Sequence, residues 1–308
     1  MEYDVVQTLR ALGHELKVIG VHDDLTPIRS SIDDFKPSIT FNLMEAFDDV
    51  VVFDQNVVSY LELLRVPYTG CNPRGLTLSR DKALAKKLMA YHRIPVPDFL
   101  VVPLGRKPKL PKRLQFPLIV KSLTYESSTG ISQASVVANE DQLNRRVQFI
   151  HDTIMTPAIV EQFIDGRELY VGVMGNDRLQ VFPVWEMSFA MMSEDAWRIA
   201  TERVKWNAKY QEKHGIETGE AELPAEVAVR VRHLAKRVYR ALDLTGYARV
   251  DLRMRPDGQL FVIEANPNPQ LAQGEDFAES ARRAGVSYAK LIERIIGLGL
   301  QWQPSRMA

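Results

Sequence analysis

Two stretches of the chain, residues 248 to 254 and 259 to 265, alternate apolar and polar positions at the two-residue period of a β-strand. Asp257-Gly258 between them is a strong hairpin turn pair. With these two residues as the loop, Leu252 faces Ile263, Met254 faces Phe261 and Asp251 faces Glu264. The apolar pairs then share one face and the carboxylates the other, with Asn266 extending the acidic face and Arg249 pointing to it by alternation. A three-residue loop starting at Pro256 would slip one strand by a residue and turn Leu252 to the wrong face, so the first register is expected.

The rest of the chain is read by the same periodicities. Residues 3 to 12 form an amphipathic helix with Val5, Val6, Leu9 and Leu12 on one stripe, ended by Gly13. Apolar runs at 15 to 21 and 38 to 43 predict buried strands around a helix at 27 to 35, a parallel α/β pattern. A helix at 54 to 64 follows. This pattern opens on a helix where a parallel unit ordinarily opens on a strand. After VPYTGCNPRG comes a helix from 77 to 91 with Lys82 near its start, then strands at 98 to 102, 118 to 121 and 134 to 137, a helix at 141 to 154 and a strand at 158 to 163, a small α+β unit. Ile164-Asp165-Gly166 reads as a hinge, followed by an antiparallel pair at 168 to 173 and 179 to 186. Residues 188 to 222 are polar and irregular, a length that suits a mobile lid. Helices at 225 to 242, 276 to 284 and 287 to 297 complete the reading, which divides the chain into units at 1–71, 72–164 and 165–308.

Composition narrows the function classes. The 308 residues are 45% hydrophobic and 25% charged, enough for two or three cores. Lys plus Arg balances Asp plus Glu at 39 each, so no net field favours nucleic acid or an anionic membrane. Small-molecule partners are expected. Cys71, the single cysteine, excludes an intramolecular disulfide and a Cys-rich metal site. No run approaches the roughly 20 apolar residues of a membrane span, and the first residues lack a signal peptide's apolar core. The expectation is a cytoplasmic protein; a homodimer stays open.

Asp251 and Glu264 side by side repel, and a cation between them resolves the repulsion. Hard oxygen ligands suit Mg²⁺, or Mn²⁺ in its place, with Asn266 as a third donor. Arg249 could hold a phosphate or a developing oxyanion. The alternative is a solvated hairpin with ordinary surface charges. A second motif follows the strand at 118 to 121, where Lys121 leads into Ser127-Ser128-Thr129-Gly130, small residues that let backbone N–H groups approach an anion. A plain turn explains such a run equally, and Lys82 and Lys121 read equally as phosphate ligands or surface lysines.

Taken in order, FNL, VPYTG, RDK at 80 to 82, FPLIVKS, the Ser-Ser-Thr-Gly loop, EQFIDGRELYVGVMG, AKY at 208 to 210 and RVDLRMRPDGQLFVIEANPNP resemble the ATP-grasp fold, specifically the D-alanine–D-alanine ligase-like family, over nearly the whole chain. The resemblance implies an α/β and α+β architecture in which an N-terminal parallel domain, here starting without its first strand, precedes two ATP-grasp subdomains. It implies ATP held with Lys82 and Lys121 on the phosphates and Ser127, Ser128 and Gly130 closing over them. Glu161, Gln162, Phe163 and Ile164 would line the adenine side, and Glu168 would hold the ribose. Lys209, with Tyr210, would act from the lid, Asp251, Glu264 and Asn266 would bind Mg²⁺, and Arg249 would stabilise the oxyanion. The implied reaction joins a carboxylate and an amine through an acyl phosphate, releasing ADP. The competing reading is an ATP-binding module with a regulatory role.

The departures bear on substrate. The family's first strand and its following loop, which supply a carboxylate to the first substrate's ammonium, would lie before Met1. Tyr125-Glu126 stands where the family has an acid followed by glycine, and Gln270 with Glu275-Asp276 where it has small residues and a serine that hold a substrate carboxylate. Acids repel a carboxylate, so D-alanine is not expected as both substrates.

Overall fold

The computed structural model describes residues 1–125, 128–193 and 195–304. Helices α1 (Glu2–Ala11), α2 (Thr26–Phe35), α3 (Asp54–Leu63), α4 (Pro73–Arg80) and α5 (Lys82–Tyr91) come first. Strands β1 (Phe99–Val102), β2 (Leu118–Ser122) and β3 (Val136–Val137), helix α6 (Glu140–Phe149) and strand β4 (Ala158–Gln162) follow. Then come β5 (Arg167–Met174), β6 (Gln180–Phe189), α7 (Glu202–Trp206), α8 (Ala208–His214), β7 (Ile216–Glu220), α9 (Ala225–Ala241), β8 (Tyr247–Met254), β9 (Leu260–Asn266), α10 (Asp276–Arg283) and α11 (Tyr288–Gln301).

The strands make two antiparallel sheets, one ordered β1-β4-β2-β3 and one ordered β7-β6-β5-β8-β9. The first is backed by α6, whose Leu143 and Val147 pack on Leu118, Val120 and Val160. The second buries Leu169, Val171, Val250 and Leu252 against α9 and against Val57, Val58 and Leu61 of α3. Gly166 joins the two halves at φ +147°, and a Cβ there would collide with the Met254 carbonyl. Only glycine accepts both that backbone and that approach.

Four expectations are corrected. The strands expected at 15 to 21 and 38 to 43 do not form a parallel sheet; among the described residues the only trace is a parallel bridge between Thr40 and Tyr68. Strand structure needs a neighbouring backbone to receive its hydrogen bonds, and Val18 is left 66% exposed. The expected helix from 77 to 91 is two helices broken at Asp81, whose extended backbone and side-chain bonds to the Ala83 and Leu84 amides cap α5. Asn72 caps α4 in the same way, with Pro73 in the first turn. The segment read as irregular holds α7, α8 and β7, with Thr201 and Asn207 as side-chain caps and Met192, Val204 and Ile216 buried beside Tyr170 and Trp185.

The hairpin supplies the fourth. Arg249 pairs with Asn266 and Asp251 with Glu264 as expected, but Leu252 faces Val262 and Met254 faces Leu260, the register of a three-residue loop starting at Pro256. A bulge at Ile263 reconciles the two halves: it absorbs one residue, so Leu252 stays buried while the carboxylates remain opposed.

Candidate functional site

A cleft between the two sheets gathers residues far apart in sequence. Lys82, Lys121, Tyr125, Ser128 and Thr129 line one part, Phe163, Ile164 and Glu168 another, and Lys205, Asp251, Arg253 and Glu264 close it. The break at Asp81 makes Lys82 the first residue of α5, and its Nζ donates to the Tyr125 carbonyl at 2.6 Å. Lys121 Nζ lies 3.2 Å from Glu161 Oε2, and Lys86 Nζ lies 3.4 Å from Glu161 Oε1. Burial alone would raise the Glu161 pKa, but the attraction of Lys121 and Lys86 outweighs it and holds the carboxyl below its ordinary range. Burial pulls the Lys86 ammonium below its ordinary range, against the attraction of Glu161. The Glu161 carboxylate is thus committed to lysines.

Lys86 was missed in the sequence. It is 1% exposed, and its Nζ also donates to the Ile263 carbonyl at 2.6 Å. The bulge turns that carbonyl toward α5 and lets the Val262 amide reach the Pro95 carbonyl. The available signal was Lys82 and Lys86 four apart on one helix face, beside buried Ala83 and Met89.

At the acidic end, Arg249 grips Asp251 with two bonds, 2.7 Å from Nε to Oδ1 and 2.9 Å from Nη2 to Oδ2, and lies 4.7 Å over the Tyr170 ring. Burial and the neighbouring Glu264 raise the Asp251 pKa, Arg249 opposing. Glu264 is lowered: burial acts upward, but Lys82, Lys205, Lys121 and Arg249 prevail. The buried Asp251 carboxylate, the half-buried Glu264 carboxylate opposite it and the Asn266 amide next to them form a hard-oxygen donor set that fits one Mg²⁺. Among the described residues no three His, Cys, Asp or Glu side chains form a fuller cage. Asn266 Oδ1 accepts from the Asn268 amide at 2.9 Å.

The other end is apolar. Ile119, Phe163, Ile199, Leu252 and Ile263 line it. Gln162 turns its side chain to the Pro117 carbonyl and the Gln115 amide. Glu168 accepts from Tyr170 Oη at 2.9 Å and from Arg253 Nη2 at 2.5 Å. Arg253, on the same strand face as Arg249 and Asp251, was not singled out by the sequence reading, although the alternation placed it there.

The lid segment reaches the cleft through Ile199, Ala200 and Lys205. Ser128, at φ +62°, donates its hydroxyl to the Ala200 carbonyl at 2.6 Å, and Gln133 makes two bonds with the Trp197 backbone. Arg146 donates to the Gly130 carbonyl and so pins the loop from beneath. Ser127 lies outside the described residues. Lys205 from α7, not Lys209, is the lid lysine in the cleft. Lys209 is exposed on α8, and Tyr210 stacks on His214 with ring centroids 4.0 Å apart. Neither is brought to the cleft.

The family model described as D-ala D-ala ligase C-terminus matches residues 88–297, more than half of the chain. The chain belongs to that family. Its members share this pair of antiparallel sheets closing on a cleft, the ATP-grasp fold. An uncharacterised protein of Sinorhizobium fredii, y4sG, is 32% identical over 301 residues, covering 95% of this chain and 85% of its own length. A D-alanine–D-alanine ligase of Desulfotalea psychrophila is 30% identical over 296 residues, covering 95% of this chain and 88% of its own. The crystal structure of a Bacillus anthracis D-alanine–D-alanine ligase complexed with ATP superposes with a TM-score of 0.79 at 23% identity, over 97% of this chain and 90% of that one. That likeness carries the fold.

Proposed function

We propose that the protein is an ATP-dependent, ADP-forming ligase that joins a carboxylate to an amine. The observation that carries this is the convergence of Lys82, Lys121 and Lys205 with Asp251 and Glu264 on one cleft. Lysines gathered around opposed carboxylates suit a polyphosphate and its metal. Asp251, Glu264 and Asn266 would hold Mg²⁺, which supplies charge neutralisation on the phosphates. The apolar end with Phe163 and Ile164 takes the base, and Glu168 the sugar.

A carboxylate becomes an acyl donor only when one of its oxygens leaves easily. Its oxygen attacks the γ-phosphorus, the bond to ADP breaks, and an acyl phosphate forms. The amine nitrogen then attacks the acyl carbon, phosphate leaves and the nitrogen loses a proton. Lys82, Lys121 and Lys205 carry compensating charge during phosphoryl transfer, and Arg249 stabilises the oxyanion that develops on the acyl oxygen. The docked segment from Trp197 to Thr201 shields the acyl phosphate from water.

The acceptor differs from D-alanine. Glu275 stands at the N-cap of α10 without making a side-chain cap bond, and Asp276 acts electrostatically on both Arg249 and Tyr170. Burial and Asp276 raise the Glu275 pKa, which marks negative charge crowding there. An amine with a further cationic or neutral group suits that corner, and a carboxylate does not. The test is phosphate release with ATP and Mg²⁺ across amino acids, amidated amino acids and polyamines, products being read by mass spectrometry. Release with a non-zwitterionic amine, lost in Glu264→Gln at unchanged melting temperature, is the expected result. Efficient D-alanyl-D-alanine formation at millimolar D-alanine would refute the acceptor assignment, and no release with any pair would refute the ligase.

A further inference from the structure

Arg253 is 6% exposed, and its bonds go to the hinge, to Glu168 and to the lid backbone. It sits on β8 directly opposite Glu168 on β5. Its Nη1 donates to the hinge carbonyl of Ile164 at 3.2 Å and weakly to that of Gly166 at 3.5 Å. Its Nη2 donates at 2.5 Å both to Glu168 Oε2 and to the Arg198 carbonyl in the lid segment. The guanidinium lies 5.5 Å from the Phe163 ring centroid. One planar fork therefore joins hinge, lid and carboxylate, a geometry that lysine could not reproduce.

We propose that Arg253 is the positioning residue of the sugar subsite: it fixes the Glu168 carboxylate, with Tyr170, so that the remaining acceptor lone pairs meet the two sugar hydroxyls, and it ties the lid backbone at Arg198 to that same carboxylate. This rests on the reading of the cleft as an ATP site. A carboxylate offers about four lone-pair directions, and Tyr170 Oη and Arg253 Nη2 occupy one each, leaving room for two donors. Burial would drive the Glu168 carboxyl toward its neutral form, and Arg253 is the foremost group opposing it, with Lys205 and Tyr170 adding to it. The groups facing Glu168 are thus Arg253 from β8, Tyr170 from its own strand and Lys205 from α7.

The consequence is a specific signature. Without the guanidinium, the Glu168 carboxyl gains a proton at higher pH and loses acceptor strength toward hydroxyls, while contacts to base and phosphates stay in place. Arg253→Met keeps an unbranched chain against Phe163 and removes the charge. Arg253→Lys keeps the charge and loses the fork.

The experiment is calorimetric titration of wild type, Arg253→Met and Arg253→Lys with Mg²⁺ and ATP, 2′-deoxy-ATP or 3′-deoxy-ATP from pH 5 to 8, with turnover measured alongside. Wild type should favour ATP over both deoxy analogues at all these pH values. Arg253→Met should lose about tenfold in ATP affinity, the scale of one charge-assisted hydrogen bond, bind all three nucleotides alike, and weaken further as pH falls. Its KM for ATP should rise while kcat changes far less. Arg253→Lys should keep the pH-independent affinity and recover part of the sugar preference. If Arg253→Met retains the wild-type preference for ATP over the deoxy analogues, the proposal is overturned even though the nucleotide site stands. If the wild type binds ATP with no preference between ribose and deoxyribose, the sugar role of Glu168 and the proposal fall together. If the wild type binds no ATP, the ligase reading falls as well. A mere strut would lower the melting temperature of both variants and leave sugar discrimination intact in whichever one folds.

Discussion

Lys86 reaches from α5 to the Glu161 carboxylate on β4 and to the Ile263 carbonyl on β9, and it is almost wholly enclosed. Replacing it with methionine keeps length and apolar bulk but leaves Glu161 with Lys121 alone and the bulge carbonyl without its donor. Losing one partner of a buried polar group costs about 1–3 kcal/mol, which a denaturant titration of Lys86→Met would read. A change within about 0.5 kcal/mol, the usual range for surface sites, would show that the bridge carries no stability. Asp251, Glu264 and Asn266 were legible because alternation along two strands and a two-residue turn fix which side chains share a face. Lys86 and Arg253 were not, since a buried cation looks like any surface cation until its carboxylate partner is located, and both partners lie dozens of residues away.

Among the elements, the hairpin and the lid diverged most from the pattern. Period-two alternation cannot distinguish a continuous hairpin from one with a bulge, because both registers are locally satisfied on either side of Ile263. The helix break at Asp81 was written in the sequence as an Asp cap two residues before Ala83, and it sets the position of Lys82. The lid's helices are short and are held by docking, through Ser128, Gln133 and Arg253, more than by their own length. Residues 197 to 214 should therefore exchange amide hydrogens readily without nucleotide and become protected when ATP and Mg²⁺ are added. Equal exchange in both states would remove the idea of a nucleotide-gated lid.

Across the whole molecule, Glu161, Lys121 and Lys86 bind the four-stranded sheet to α5 and, through Ile263, to the five-stranded sheet. The Glu161 carboxyl is held below its ordinary pKa, so the folded state binds its proton less readily than the unfolded state does. Its stabilisation is complete above the unfolded carboxyl value of about 4.3 and fades as pH falls toward the lower folded value. Lys86, lowered from its ordinary value, acts at the alkaline end: its penalty is full below its folded pKa and vanishes above about 10.4. Acid unfolding followed by circular dichroism should thus be less steep in Glu161→Gln than in wild type between about pH 5 and 3, and identical slopes would exclude Glu161 as a determinant. The sequence alone determined helices α1 to α3 and those from α6 onward apart from the ones inside the lid, most strands of the two antiparallel sheets, the opposed carboxylates and the family, because periodicity, caps and turn pairs act over a few residues. Only the tertiary structure decided that residues 15 to 21 pair with no strand among the described residues, that Lys205 and not Lys209 faces the cleft, and that Arg253 closes on Glu168, because each depends on which distant backbone or charge comes alongside.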